Sequence, residues 1–124
     1  MKEYSAKDIR NVVLLGATKS GKTTLAEAML FEGKVIDRRG SVEEKNTVSD
    51  NDELEKLNQR SIYATPLYAE FMNKKINIID APGSDDFIGG AVSAFKVCEN
   101  GILVINAQQG VEVGTTGALR YAEK

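Results

Sequence analysis

The sequence predicts an α/β fold, a three-layer sandwich in which helices cover both faces of a mostly parallel sheet. Short apolar runs typical of strands alternate along the chain with segments of good helix formers, a pattern that favours parallel strands joined by crossover helices. A glycine-rich turn separates the first such run from the first helical segment (residues 16–23, GATKSGKT). The 124 residues, 42% of them hydrophobic, are enough for one core without disulfides or a structural metal.

The first half of the chain is predicted to hold one strand, one helix and a long loop. Residues 11–15 (NVVLL) form an apolar, partly β-branched run typical of a buried strand. Residues 22–31 are good helix formers, and Gly33 supplies a stop signal just beyond them. Residues 34–60 have no sustained periodicity, so we expect a mobile loop there, with one short helix capped by Asp50.

The second half is predicted to contribute an antiparallel hairpin at the edge of the sheet. Residues 61–72 have the composition of a strand, which Pro66 confines to an edge position. A turn at residues 73–75 then leads into a buried strand at residues 76–80. The remaining predicted elements are a helix at residues 86–99, a buried strand at residues 101–106 and an amphipathic helix at residues 113–123.

Composition and charge exclude several classes of function. With 16 basic and 18 acidic residues, the net charge is −2, so we expect no non-specific nucleic-acid binding by this segment. Cys98 is the single cysteine and there is no histidine, which excludes an internal disulfide and a Cys/His metal cluster. No stretch has the pattern of a signal peptide or of a membrane span, so we expect a cytoplasmic location and no membrane partner.

Residues 16–23 fit the pattern G-x-x-x-x-G-K-[ST] of a phosphate-binding loop, or P-loop, and lie at the required strand-to-helix junction. Glycines let the backbone approach phosphates closely, and the positive end of the helix dipole favours an anion. We expect Lys22 to reach the β- and γ-phosphates and the Thr23 hydroxyl to bind Mg²⁺. The alternative is a turn without a ligand, but the pattern arises by chance at only about one position in a few tens of thousands.

Residues 80–83 (DAPG) form a second candidate phosphate element at the end of a buried strand, where ligands of open α/β sheets gather. A D-x-x-G segment alone is more often a plain exit from a strand, and the P-loop upstream strengthens the functional interpretation. We expect Asp80 to hold Mg²⁺ through water and the Gly83 N–H to meet the γ-phosphate. The predicted phosphate-binding residues are Thr18, Lys19, Ser20, Gly21, Lys22, Thr23, Thr24 and Gly83.

These residues resemble those of the translational GTPases, and within them elongation factor G and the tetracycline-resistance ribosome-protection proteins. The segments that carry the resemblance, over nearly the whole chain, are Arg10-Asn11, residues 21–24 (GKTT), residues 75–83 (KINIIDAPG), Asp86-Phe87 and residues 109–112 (QGVE). The resemblance implies the P-loop NTPase fold, binding of GTP and Mg²⁺, and action on the ribosome in translocation or ribosome disassembly. Residues 34–60 would then correspond to the first switch of such GTPases.

Three positions depart from the pattern of that family. Tyr63 stands where the family has the threonine that completes the Mg²⁺ shell, and Ser84 stands where a histidine positions the attacking water. Lys19 stands where the family has an aspartate associated with a bound monovalent cation, and its ammonium group can occupy the space of that cation. The resemblance therefore implies a catalytic set of Lys22, Lys19 and Ser84, with weakened GTP hydrolysis.

The family reads guanine with an asparagine-lysine-x-aspartate segment, and the chain stops at Lys124 before it. We therefore expect residues 1–124 to be the N-terminal portion of a single GTP-binding domain, truncated before its last strands. Two alternatives remain open. One is a non-hydrolysing clamp, in which GTP binding orders a surface for the ribosome. The other is an ATP-using P-loop kinase of a small metabolite, although the long loop and hairpin before Asp80 argue against it.

Overall fold

The computed structural model describes residues 2–84 and 88–123, except for the side chain of Ile88. A 3₁₀ turn at Ala6–Asp8 precedes the first strand. The strands and helices are β1 (Ile9–Leu15), α1 (Lys22–Glu32), α2 (Glu53–Asn58), β2 (Thr65–Phe71), β3 (Lys74–Asp80), α3 (Ile88–Phe95), β4 (Asn100–Leu103) and α4 (Val113–Ala122).

The central strand of the sheet is β1, in a four-stranded order of β2-β3-β1-β4. It pairs in parallel with β3 on one side and with β4 on the other, whereas β2 pairs antiparallel with β3. Because β1 and β3 run in parallel, the segments that follow them meet at the same edge of the sheet. The predicted mostly parallel sheet with one antiparallel edge hairpin is confirmed.

Side chains that alternate along β1 divide the core into two layers. Leu14 lies in a buried cluster with Ala26 of α1. Val13 and Leu15 lie in a second buried cluster, with alanines of α3 and α4. Because neighbouring side chains of a strand point to opposite faces, α1 covers one face of the sheet while α3 and α4 cover the other. This arrangement confirms the predicted three-layer sandwich.

The edge hairpin is present, with ends that differ from the prediction. The edge strand β2 contains Pro66, as predicted, but begins at Thr65, and Ser61 before it lies beside Thr23 of the P-loop. The turn consists of Met72 and Asn73, with φ values of 48° and 59°, instead of residues 73–75. Two residues with positive φ give the tight connection that matches the twist of paired antiparallel strands.

The short helix α2 has a different cap from the predicted one. Its N-cap is Asp52, whose Oδ1 accepts a hydrogen bond from the Leu54 N–H at 2.9 Å. Glu55 completes a capping box, because its Oε2 accepts from the Asp52 N–H at 3.3 Å. The prediction that Asp50 caps this helix is therefore wrong, since Asp50 is buried beside the P-loop instead.

The strand β4 ends at Leu103, earlier than predicted, because the chain beyond it turns around an asparagine side chain. The Oδ1 atom of Asn106 accepts hydrogen bonds from the N–H groups of Gln108 at 2.9 Å and Gln109 at 3.1 Å. Such local bonds offer the backbone an alternative to the sheet ladder. The strand β4 lies at an edge of the sheet, beside β1. Among the described strands, none pairs with the other side of β4.

Helices α3 and α4 occupy the regions where helices were predicted. α4 agrees with the prediction to within one residue. α3 ends at Phe95, earlier than the predicted residue 99, and its predicted start at Asp86 lies outside the described residues. Within residues 2–84 and 88–123, no helix is both long and apolar enough to cross a bilayer.

A buried carboxylate of α1 holds the long loop at two points. Glu27 is only 1% exposed. Its Oε2 atom accepts a hydrogen bond from the Gly40 N–H at 2.9 Å, and its Oε1 atom accepts one from the Val48 N–H at 2.6 Å. Two points of the loop that are distant in sequence therefore depend on one side chain. The mobility of residues 34–60 stays a prediction.

We expect Glu27→Ala to lower the free energy of unfolding by about 3 kcal/mol, because it leaves two N–H groups without their charged acceptor. Amide hydrogen exchange at Gly40 and Val48 should accelerate at the same time. Denaturant unfolding and exchange measured by NMR test both effects. The matched control is Glu32→Ala on the exposed face of α1, which should change stability by about 0.5 kcal/mol or less. Unchanged exchange at both amides in Glu27→Ala would contradict this role.

Candidate phosphate and metal site

The loop between β1 and α1 curls around the N-terminus of α1. Gly16 has φ of 139°, and a Cβ atom there would collide with the Val104 carbonyl oxygen. Gly21, the N-cap of α1, has φ of 104°, which an L-residue with a side chain rarely adopts. Asn106 Nδ2 braces the loop by donating to the Lys19 carbonyl oxygen at 3.2 Å. The backbone conformation therefore requires glycine at both Gly16 and Gly21.

Lys22 lies buried beneath this loop. The residue is 5% exposed, and its Nζ atom donates to the carbonyl oxygens of Gly16 at 3.1 Å and Ala17 at 2.8 Å. Burial lowers the pKa of Lys22, and the negative charges of Asp80 and Asp50 oppose that shift. A buried ammonium group gains more from a nearby anion than an exposed one does, because the low dielectric weakens screening. Lys22 is therefore well placed to bind phosphate.

Gly83 packs directly against the P-loop. A Cβ atom at this position would stand 2.5 Å from Lys22 Nζ and 2.6 Å from the Gly16 carbonyl oxygen. A Cβ atom on Gly114, near the start of α4, would in turn approach the Gly83 carbonyl oxygen to 2.8 Å. Three segments therefore meet at distances that only glycine allows, and the two predicted phosphate elements lie side by side.

The two predicted Mg²⁺ ligands, Thr23 and Asp80, are hydrogen-bonded to each other. Thr23 Oγ1 donates to Asp80 Oδ2 at 2.7 Å, and Ser49 Oγ donates to the same oxygen at 2.7 Å. Asp80 is 0% exposed, and its Oδ1 atom has no hydrogen-bond partner. Burial raises the pKa of Asp80, although both hydroxyl donors oppose the shift. A buried carboxylate with a free oxygen fits a hard cation such as Mg²⁺, which prefers oxygen ligands and takes one or two carboxylates.

Two residues that the sequence did not predict extend this cluster. Ser61 Oγ donates to Asp50 Oδ1 at 2.7 Å and lies 3.2 Å from Thr23 Oγ1. Asp50 is 4% exposed, and burial raises its pKa. The acidic composition around Asp50 favoured a solvated helix cap, and the loop has no periodicity that would have indicated which side chains turn inward.

These residues enclose a cavity of about 240 Å³. The predicted residues that line it are Thr18, Lys19, Gly21, Lys22, Thr23, Thr24 and Gly83, together with the unpredicted Asp50 and Ser61. Ser20 is predicted to bind phosphate but does not line the cavity, and its hydroxyl is buried without a partner. Lys19 is exposed at the cavity and has φ of 61°.

Two positions that depart from the family pattern lie outside this cavity. Tyr63 is 53% exposed, and its N–H donates to Glu55 Oε1 at 3.0 Å. Ser84 instead lines a neighbouring hollow with Thr18, Gly83 and Glu112. In the described part of the chain, no group of three or more Cys, Asp or Glu side chains forms a metal cage. A metal ion here would share its ligands between the protein and a bound phosphate, as Mg²⁺ commonly does.

Comparison with known proteins decides the family. The sequence profile of the elongation factor Tu GTP binding domain matches residues 7–124. The chain belongs to this family. It is a GTP-binding (G) domain sequence of the translational GTPases, which confirms the resemblance and the P-loop NTPase fold predicted from the sequence.

Two curated relatives are similar to this G domain over 107 residues, which is 86% of the chain. An elongation factor G-like protein of Mycobacterium tuberculosis is 41% identical, and the match spans 15% of that protein. The tetracycline resistance protein TetM from transposon Tn1545 of Enterococcus faecalis is 36% identical, and the match spans 17% of its length. The chain therefore corresponds to a small part of these relatives.

Solved structures agree with the sequence comparison. A crystal structure of a Thermus thermophilus protein superposes on 93% of this G domain with a TM-score of 0.90 and 36% identity, over 17% of that chain. A bacterial selenocysteine-specific elongation factor, EF-Sec, superposes on 92% with a TM-score of 0.71 and 27% identity, over 17% of its chain.

We expect Lys22→Ala to abolish detectable binding of a nucleoside triphosphate by the purified protein, because it removes the buried positive charge that faces the phosphates. Isothermal titration calorimetry with a non-hydrolysable GTP analogue and Mg²⁺ tests this. Lys96→Ala, which changes an exposed lysine after α3, is the matched control and should bind like the wild type. Equal affinity in Lys22→Ala and the wild type would refute the phosphate-loop interpretation.

We expect Asp80→Asn to raise the melting temperature at about pH 7 in EDTA, because it removes a buried charge. The folded-state pKa of Asp80 is raised, so its contribution to stability is full below the unfolded pKa of about 3.9 and is lost as pH rises through the folded value. The advantage of the variant should therefore shrink as the pH falls toward 4. Thermal unfolding across this range, with the exposed Asp37→Asn as control, measures it. A less stable Asp80→Asn at neutral pH would contradict this explanation.

Proposed function

We propose that this chain binds GTP with Mg²⁺ and serves as the nucleotide-binding part of an elongation factor G-like translation factor that acts on the ribosome. The observation that supports it most directly is the convergence of Lys22, Thr23 and Gly83 on one cavity, with Asp80 bonded to Thr23. Each of these four residues belongs to a motif whose chemistry is phosphate or Mg²⁺ binding. Family membership favours this function over the phosphorylation of a small metabolite by ATP.

Each residue of the site has a distinct role in this proposal. The backbone N–H groups of residues 18–23, at the N-terminus of α1, bind the phosphates. Lys22 exchanges its two carbonyl contacts for the β- and γ-phosphates, and the Gly83 N–H donates to the γ-phosphate. Thr23 and Asp80 are the residues that would hold Mg²⁺. When bound, Mg²⁺ neutralises the charge that develops on the phosphates during hydrolysis.

The ribosome is the proposed partner because of the relatives that the chain resembles. The two curated relatives are named as an elongation factor G-like protein and as a tetracycline resistance protein. Translocation and ribosome disassembly are the activities proposed for the whole protein, in the cytoplasm. The net charge of −2 favours docking by shape over general attraction to RNA.

Ribosome cosedimentation tests this partner. The purified protein should sediment with ribosomes in the presence of a non-hydrolysable GTP analogue and much less with GDP. Lys22→Ala should lose the difference between the two nucleotides. Sedimentation that does not depend on the nucleotide would argue against a GTP-dependent ribosome factor.

GTP hydrolysis is proposed to be slow because the group that would orient the attacking water is short. Ser84 lies beside Gly83 and the hollow near Glu112, where its hydroxyl reaches less far than an imidazole would. The sequence contains no histidine that could replace it. Lys19 adds a positive charge at the cavity, which favours tight holding of GTP. The same features support the alternative, a clamp that binds GTP on the ribosome without hydrolysing it.

We expect Ser84→His to increase ribosome-stimulated hydrolysis, because water-organising and charge-organising groups in this reaction class contribute on the order of 10³–10⁵ in rate. An increase of about tenfold or more in single-turnover phosphate release is the expected result. Ser93→His on the exposed part of α3 is the matched control and should leave the rate unchanged.

A wild-type rate equal to that of an ordinary elongation factor G would contradict the proposal of slow turnover. A rate that remains undetectable in both the wild type and Ser84→His, together with GTP-dependent ribosome binding, would favour the clamp.

A further inference from the structure

The hydroxyl groups of Ser61 and Thr23 lie against each other, and each also donates to a buried carboxylate. Their oxygen atoms are 3.2 Å apart. Each hydroxyl carries one proton. The proton of Thr23 is directed to Asp80 Oδ2 and that of Ser61 to Asp50 Oδ1, each at 2.7 Å. When both carboxylates are ionised, the lone pairs of the two hydroxyls therefore face one another, and a cation between them would stabilise this arrangement.

The buried lysine of the P-loop is already engaged with other groups. The nearby ammonium group, Lys22 Nζ, donates to the carbonyl oxygens of Gly16 and Ala17. Ser49 donates its proton to Asp80. The fully buried Asp80 keeps a second oxygen, Oδ1, without a partner. Several oxygen atoms that can accept a cation thus lie close together around Thr23.

The separation of the two hydroxyl oxygens is close to that of neighbouring ligands on one magnesium ion. Mg²⁺ demands near-octahedral geometry with ligands at about 2.0–2.1 Å, so adjacent ligand oxygens lie about 2.9 Å apart. A contraction of a few tenths of an ångström from 3.2 Å would bring Ser61 and Thr23 to this spacing.

The backbone that carries Ser61 is fixed in place by α2. Glu55, which is 2% exposed, accepts hydrogen bonds at Oε1 from the N–H groups of Ile62 and Tyr63, both at 3.0 Å. The backbone immediately after Ser61 is thereby held to the helix. The same contacts hold Tyr63 where its side chain is 53% exposed and outside the cavity.

We propose that the hydroxyl of Ser61 is the ligand that the segment before β2 contributes to Mg²⁺, beside Thr23, with Asp50 as the positioning residue that accepts the proton of Ser61. This inference rests on the proposed function, because it assumes that Mg²⁺ and a triphosphate occupy the cavity. In this assignment Ser61 takes the role that the family pattern gives to a threonine at position 63. The tyrosine there then costs the protein no metal ligand.

The number of water ligands on the metal tests this directly. The purified protein is loaded with a non-hydrolysable GTP analogue and Mn²⁺ as the probe, and broadening of the EPR lines by ¹⁷O-labelled water counts the waters. We expect Ser61→Ala to gain one water relative to the wild type and Ser61→Thr to gain none. Tyr63→Phe, two residues away and outside the cavity, is the matched control and should also gain none.

The Mg²⁺ dependence of nucleotide release provides a second readout. Ser61→Ala should need about tenfold more Mg²⁺ than the wild type to retain a fluorescent GTP analogue. Asp50→Ala should weaken Mg²⁺ retention by a similar factor, since outer-shell partners commonly contribute about 10-fold to 100-fold. Asp50→Asn, which keeps an oxygen acceptor for Ser61, should restore most of the affinity.

An unchanged water count in Ser61→Ala would overturn the assignment, and so would a gain of one water in a Tyr63→Ala variant. Failure of the wild type to bind the analogue with Mn²⁺ would instead refute the proposed function. The two failures are therefore distinguishable.

Discussion

The buried hydrogen bond from Thr23 to Asp80, at 2.7 Å, is the interaction on which the site depends. It joins the first turn of α1 to the last residue of β3. The parallel pairing of β1 with β3 makes this contact possible, because it brings the ends of both strands to one edge of the sheet. Without that register, the P-loop and the DAPG segment would lie apart, and neither motif would form a site alone.

Electrostatics sets a second constraint on the same region. Lys22, Asp50 and Asp80 are all buried, and burial disfavours the charged form of each, as the directions of their pKa shifts show. Such a cluster stabilises the apo fold less than apolar side chains of similar volume would. In the proposed function its charges would complement a metal–triphosphate complex, which would bring an anion to the lysine and a cation to the carboxylates. The proposed binding of a nucleotide would explain why the protein keeps a cluster that lowers its stability.

Local patterns in the sequence were sufficient to predict the parts of the fold that a few adjacent residues determine. The P-loop, the DAPG turn and the edge position of the strand with Pro66 each depend on a few adjacent residues, so the sequence predicted them correctly. The cap of α2 was misplaced by two positions, because several acidic residues in a row offered equally good caps. β4 was predicted too long, since nothing local shows that the Asn106 side chain bonds the following backbone.

The parts of the site that were missed come from the long loop and from the residue that follows it. Ser61 lies beside Thr23 and bonds Asp50, while Glu27 and Glu55 hold the neighbouring backbone from two different helices. Contacts of this kind join residues far apart in the sequence and leave no periodic signal. The same tertiary contacts accompany a cavity that Ser61 lines and from which Tyr63, at the position of the family's threonine, is absent.

A crystal structure of the protein with Mg²⁺ and a non-hydrolysable GTP analogue measures the central claim most directly. The structure should show the triphosphate within the loop of residues 16–23, with Lys22 Nζ bonded to phosphate oxygens and no longer to the carbonyl oxygens of Gly16 and Ala17. Thr23 Oγ1 should lie about 2.1 Å from the metal. A triphosphate bound elsewhere, or a Lys22 that keeps both carbonyl contacts while the nucleotide is bound, would contradict the account.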